Sequence, residues 1–299
     1  MDQTPFRTMV RTEGARLYRD LPWRRTRDPY GIWLSEVMLQ QTQVVRVETR
    51  WPEWLERFPT VFDLARADTA DVLSAWQGMG YNRRALALKA AAERLAGEYG
   101  GTFPESAREL ESLPGIGPAT AQGIRAFAFD LPGIYLETNV RTVFLHHMFP
   151  DAPGVPDREL APLVEASCPF GQVEGPGPYA EPQDARDTPR SWYYALLDYG
   201  AYLKKSVPNP SRRSKSYTRQ SKFEGSRRQK RAETVRILLA ARGANEGAVP
   251  TEKIARRLDD EELAAGRPRV EPGLLQQILG ELQREGFCSE ERPGEWRIA

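Results

Sequence analysis

Apolar residues recur at three- and four-residue spacing through most of the first 150 positions. The pattern is plain in "IWLSEVMLQQ", "VRVETRWPEWLERF", "TVFDLARA", "ADVLSAWQGM" and "RRALALKAAAERLAGEYG". It predicts short amphipathic helices, with Gly or Pro at the joins. "TEGARLY" predicts a helix ahead of "RDLPWRRTRDPYGIW", a Pro-broken approach segment. No alternating strand runs occur, so the expected class is all-α. Residues 169–190, "PFGQVEGPGPYAEPQDARDTPR", lose the periodicity and predict a surface loop. "SWYYALLDYGAYL" returns to helix. The tail holds three helical stretches, "KRAETVRILLAAR", "PTEKIARRL" and "PGLLQQILGELQREG". "FCSEERPGEWRIA" follows, with a turn at Arg292-Pro293-Gly294 between two extended pieces. Three helices and a β-wing predict a small winged-helix-like (α+β) domain over 229–299, with the boundary near 224–229.

Composition narrows the picture only in places. Hydrophobic residues are 40% and charged residues 28% of 299, ordinary for a soluble globular chain able to bury a core without staples. The net charge is +1, so any grip on nucleic acid must be local. Such a patch exists. Residues 204–231 carry eleven Lys or Arg against the single acid Glu224. The two cysteines, Cys168 and Cys288, are far apart and form no metal-ligand spacing, which fits a reducing compartment. No apolar run is long enough to span a membrane, and the N-terminus has no apolar signal core. A cytoplasmic, nucleoid-associated protein is expected.

Four stretches carry candidate chemistry. "LPGIGPATAQGIRAFAF" reads helix–hairpin–helix. Gly115 and Gly117 permit a tight turn with unusual φ, and Pro118 suits a first helical turn. Amides at such a helix start can hold a backbone phosphate, which positions a protein without reading sequence. A plain helix-joining turn has the same spacing. In "WLSEVMLQQTQ", Glu36, Gln40 and Gln43 are expected on one helix face beside Trp33, Leu34 and Val37. Desolvation there would raise the Glu36 carboxyl pKa and suit it to proton donation; a lone Glu is more often a solvated surface residue. In "YLETNVRTVF", Thr138 or Asn139 is expected to cap a helix, and Glu137 could stabilise a developing sugar cation. An acid and an anion together suit glycosidic cleavage, extended by analogy to a base–sugar C–N bond. Tyr81 in "QGMGYNRRAL" follows two glycines. With an amide such as Gln41 it could fill the gap left by an extruded base, with Arg83 and Arg84 on phosphates.

Taken in order, "LPWRRTRDPYGIWLSEVMLQQTQV", "RFPTVFDLA", "WQGMGYNRRAL", "LPGIGPATA", "ETNVRTV" and "LLDYGA" resemble the helix–hairpin–helix (HhH-GPD) DNA glycosylase superfamily over residues 15–220. Within it, they resemble the adenine-specific mismatch branch, MutY. The resemblance implies a two-lobed helical fold over 1–224. A six-helix barrel would span 29–136, with a second lobe from 1–28 and 137–224 and the active site between the lobes. It implies Glu36 as the catalytic acid, Glu137 in place of an aspartate that stabilises the oxocarbenium ion, and Asn139 as an active-site asparagine. It implies Gln41 and Tyr81 as wedge residues in double-stranded DNA. Gly115, Gly117 and Thr120 belong to the DNA-binding hairpin, where a monovalent cation can assist. Ala119 stands where bifunctional relatives carry a Schiff-base lysine, so a monofunctional enzyme is expected.

Three departures qualify it. Glu137 is one methylene longer than the family's aspartate, a shift of roughly 1 Å. The four iron–sulfur cysteine positions hold Lys204, Ser211, Ser214 and Gln220, so no cluster is expected. Lys204, Arg212, Arg213 and Lys215 remain as phosphate-binding candidates. The winged-helix-like tail stands in place of the family's Nudix-like domain. Its presumed recognition helix, 271–285, has Glu271, Glu281 and Glu285 against Arg284, a poor duplex-facing surface. Protein contact or packing on the first domain is expected instead. The leading function is excision of adenine from a mismatch in base excision repair. The alternatives are a glycosylase for another damaged base, or a catalytically inactive DNA-binding protein.

Overall fold

The computed structural model describes residues 4–169 and 187–299. Of the expected 169–190 loop, residues 170–186 lie outside them, while Pro189 and Arg190 are corrected to the first turn of a helix capped by Thr188. Helices run α1 (Thr4–Arg16), α2 (Pro29–Leu39), α3 (Val44–Arg57), α4 (Val61–Arg66), α5 (Thr69–Ala75), α6 (Arg83–Glu98) and α7 (Ala107–Ser112). Then follow α8 (Pro118–Phe129), α9 (Thr138–Met148), α10 (Asp157–Ser167), α11 (Pro189–Ser206) and α12 (Arg227–Gly243). The chain ends β1 (Val249–Pro250), α13 (Thr251–Ala264), α14 (Leu274–Arg284), β2 (Cys288–Arg292) and β3 (Glu295–Ile298). No helix among the described residues is long and apolar enough to cross a membrane.

The chain forms two compact units, 1–55 with 102–219, and 56–101 with 220–299. These cross the expected boundary at 224–229. Helices α4–α6 group with the tail because α5 meets α12, where Arg242 pairs with Asp68 and Asp71. The Arg83 guanidinium also clasps the Glu285 carboxylate.

In the first unit, α1, α9 and α11 close over a core of Phe6, Phe127, Phe144, Trp192 and Tyr193. Helix α2 begins where Asp28 accepts the amides of Tyr30 and Gly31, with Pro29 supplying a preset first turn. Its Trp33, Leu34, Val37 and Met38 are buried. The approach segment is pinned by Asp198 of α11, whose carboxylate takes Arg24 at 2.7 and 2.9 Å and Arg19 at 2.5 Å. Breaking a buried pair of this kind costs about 3–5 kcal/mol.

In the second unit, the tail follows the winged-helix order of helix, strand, two helices and a two-stranded wing. Its sheet order is β1-β3-β2, antiparallel throughout. Leu238, Ile254, Ile278, Leu279, Phe287 and Trp296 are buried. Gly294, at φ +78°, turns the wing where the sequence placed it.

Candidate active site

Helix α2 ends at Leu39. Gln40 is already extended (φ −60°, ψ 108°) and Gln41 is left-handed (φ 55°). The expectation that Glu36, Gln40 and Gln43 share one helix face is therefore corrected. The chain reverses direction between them, and α3 starts afresh at Val44. The reversal leaves Gln41 on an exposed turn and sends the Gln40 amide to the Thr120 hydroxyl of α8 at 3.2 Å. Thr120, expected among the DNA contacts, has its side chain buried beneath that bond.

Glu36 points at α8. A Cβ built on Gly123 would lie 2.2 Å from Glu36 Oε2, so this mid-helix glycine is what makes room for the carboxyl. A glycine inside a helix costs about 1 kcal/mol against alanine, and the space explains it. Tyr135 Oη donates to Glu36 Oε2 at 2.9 Å. Tyr135 is itself set by edge contacts with the rings of Phe127 and Tyr193, and its amide donates to Tyr193 Oη at 3.2 Å. The residue keeps some accessible surface, yet its carboxyl is closely enclosed. Burial pushes the Glu36 pKa up to about 8, against the pull of the Tyr135 bond, and the nearby Glu137 adds to the rise. With Oε2 accepting from Tyr135, the acidic proton belongs on Oε1.

Glu137 is itself the N-cap of α9. Its carboxylate accepts the Asn139 amide at 2.6 Å and the Val140 amide at 3.1 Å. The expectation that Thr138 or Asn139 caps this helix is corrected: both lie inside it, with Glu137 outside in extended backbone. The longer side chain still reaches both amides, so the added methylene is accommodated by capping. Burial raises the Glu137 pKa, while the two amides and then the charges of Lys204 and Arg141 draw it down. Lys204 Nζ, in the last turn of α11, donates to Asn139 Oδ1 at 3.3 Å. Glu36, Glu137 and Asn139 are thus brought together in one unit, joined by three residues that the sequence reading gave no place in the site: Tyr135, Gly123 and Gly200. For Gly200 the signal was a glycine inside a helix; a Cβ there would sit 2.1 Å from the Asn139 carbonyl oxygen.

The hairpin presents Gly115, Gly117 and Ala119 at the surface while Leu113 and Ile116 are buried. Gly115 is left-handed (φ 75°). Gly117 is not (φ −90°, ψ 175°), which corrects the expectation of two unusual glycines; it is the N-cap of α8 and has no side-chain bond there. Beyond α11, Asn209 Oδ1 accepts the Ser211 amide and hydroxyl at 3.0 and 2.8 Å. Arg213 donates to the Leu145 carbonyl at 2.9 Å, and a short bridge joins Val155 to Ser214. Arg212 and Lys215 stay exposed.

In the second unit, Tyr81 is exposed and left-handed (φ 49°) after Gly78 and Gly80. Its hydroxyl receives Gln220 Nε2, and Arg228 Nη1 at 2.6 Å. Arg84 is turned onto its own turn, donating to the carbonyls of Met79 and Gly80 at 3.1 and 3.0 Å and lying over the Trp76 ring. Burial lowers its pKa to about 10. Arg83 is exposed but paired with Glu285.

The positions where the family carries cluster cysteines do not fit that group. Lys204 is hydrogen-bonded to Asn139, Ser211 and Ser214 serve local turns, and Gln220 binds Tyr81. None offers a thiolate. Among the described residues, no cluster of His, Cys, Asp or Glu is placed to hold a metal ion.

Residues 34–161 match the family model described as HhH-GPD superfamily base excision DNA repair protein. The chain is 45% identical over 138 residues to the adenine DNA glycosylase of Mycolicibacterium smegmatis, covering 45% of this chain and 47% of that one. It is 40% identical over 134 residues to the human adenine DNA glycosylase, covering 42% and 24%. The alignments therefore span about half or less of these relatives' length. Among solved structures, it resembles a thermostable thymine-DNA glycosylase, with TM-score 0.57 and 22% identity over 70% of this chain and 93% of that one. It also resembles endonuclease III from a non-covalent DNA complex, with TM-score 0.51 and 19% identity over 68% and 86%. These two likenesses concern the fold.

Proposed function

We propose that this chain, whose residues 34–161 belong to the HhH-GPD superfamily, is a monofunctional DNA N-glycosylase that removes adenine from a mismatch in duplex DNA. The observation that carries the reading is the pair Glu36 and Glu137. Burial raises both, Glu36 to about 8, but Glu137 is held at a helix start where two amides and the charges of Lys204 and Arg141 draw it back down. Two carboxyls in such different surroundings suit the roles of acid and counter-charge. The 40–45% identity to adenine DNA glycosylases supports adenine as the base.

On this reading Glu36 donates its proton to a ring nitrogen of the extruded base. The C–N bond breaks with its electron pair leaving on the base. Glu137 offsets the positive charge that develops on the sugar, and water adds at the sugar carbon and gives up a proton, which returns the Glu36 carboxylate to its acid form and leaves an abasic site. Ala119 supplies no amine for strand cleavage. Gln41 is a wedge residue of the first unit and Tyr81 of the second; the exposed hairpin at Gly115–Gly117 rests on phosphate, where a monovalent cation would add to its grip. Arg83, Arg212 and Lys215 add charge on the backbone. Residues 1–224 are the glycosylase domain and 229–299 a winged-helix-like appendage that packs on it or meets a protein partner.

Single-turnover reactions over a panel of mismatched and damaged duplexes test this. Release of adenine, leaving an uncut abasic strand, is expected. Binding without release of any base points to an inactive DNA-binding protein. Release of a different base moves the substrate within the same class.

A further inference from the structure

Lys204 occupies the position at which the related fold places its first cluster ligand, yet it faces the carboxylate site. Helices α9 and α11 touch at their backbones, because Gly200 leaves space for the Asn139 carbonyl. Four residues later on the same face of α11, Lys204 arrives over Asn139 and donates to its Oδ1 at 3.3 Å. We infer that Lys204 is a positioning residue of the reaction: it fixes the Asn139 carboxamide by its oxygen and supplies the positive charge that balances Glu137. This rests on the function proposed above.

The geometry dictates what each partner can then do. With one lone pair of Oδ1 engaged by Lys204, the Asn139 carboxamide is fixed in one orientation, and its NH2 group is turned the other way. Four titratable or charged groups act on Glu137. Glu36 and Tyr135 come from one side, Arg141 from its own helix and Lys204 from α11. Arg141 is committed to Asp157 at 2.9 and 2.7 Å. Lys204 makes no such ion pair among the described residues, and it acts on Glu137 more strongly than Arg141 does. An enclosed carboxyl drifts toward its neutral form, in which it cannot stabilise a cation. Lys204 opposes that drift without touching the reacting atoms, and the buried amides of α9 share the task.

Two measurements on the full chain test the inference. The Glu137 carboxyl is titrated by 13C NMR in wild type, Lys204→Met and Lys204→Arg, and single-turnover adenine release is followed from pH 5 to 9. Removing the charge should raise the Glu137 midpoint by about one unit. That corresponds to roughly tenfold slower release on the acid side, shrinking toward pH 8. Lys204→Arg should restore most of both, and duplex affinity should change little. An unshifted Glu137 titration, or a pH-independent loss that follows a lowered Tm, overturns the inference. If wild type releases no base, the proposed function fails, while the titration still decides whether Lys204 governs Glu137.

Discussion

The surroundings of Glu36 and of Glu137 make opposite use of the same amino acid. Glu36 lies against bare helix backbone at Gly123 and, among the described residues, has one hydrogen-bond donor, the Tyr135 hydroxyl. Glu137 sits at a helix start with two amides on it and two basic side chains acting on it. Both are enclosed, and enclosure raises both. What separates them is the number and charge of the donors, and on the proposed function that difference would make one the acid and the other the counter-ion.

The largest expected effect comes from deleting the acid. Glu36→Gln keeps the shape and the Tyr135 bond but carries no transferable proton, so adenine release should fall by roughly 10²–10⁴-fold with duplex binding intact. Residual activity within a few-fold of wild type would assign the proton to another group. Glu137→Gln, read in the same single-turnover assay, should lose about 10²–10³-fold, as for removal of one transition-state partner. Gly123→Ala is next. The new methyl must displace the Glu36 carboxyl, and a misplacement near 1 Å is worth on the order of 10²-fold. A crystal structure of the variant with Glu36 unmoved and full activity would remove Gly123 from the site.

The remaining effect is on stability. The Glu36 pKa is about 8 in the folded chain against 4.5 for the free side chain. A raised carboxyl contributes its stability fully below the unfolded value and loses it as pH climbs through the folded one. Glu36→Gln should therefore gain on wild type as pH rises from about 5 to 8, in urea unfolding read at several pH values. A pH-independent difference between the two would mean that the Glu36 carboxyl is solvated in the native state.

Much of this was legible in the chain. Apolar spacing located helices such as α2, α3 and α6, the hairpin from Leu113 to Pro118 was spelled out by its glycines, and Gly294 marked the wing. These are local signals. What sequence could not supply were meetings between distant segments and the exact stops. Nothing in "LQQTQ" announces that the helix halts at Leu39 and that Gln41 goes left-handed, because the reversal is settled partly by the Gln40 amide finding Thr120 eighty positions later. Glu is not a favoured cap, so the role of Glu137 was assigned to its neighbours. Nothing in the helix around Gly123 announces the carboxyl that lies above it, because that group comes from a distant segment.

That Glu137 also begins α9 has a practical corollary. A chemist wishing to freeze the protein on intact DNA would reach for either acid, but the two are not interchangeable tools. Erasing Glu137 with alanine unties the first turn of a helix that packs on α10 and α11, at about 1 kcal/mol. Silencing Glu36 leaves every helix end untouched, and makes the cleaner trap.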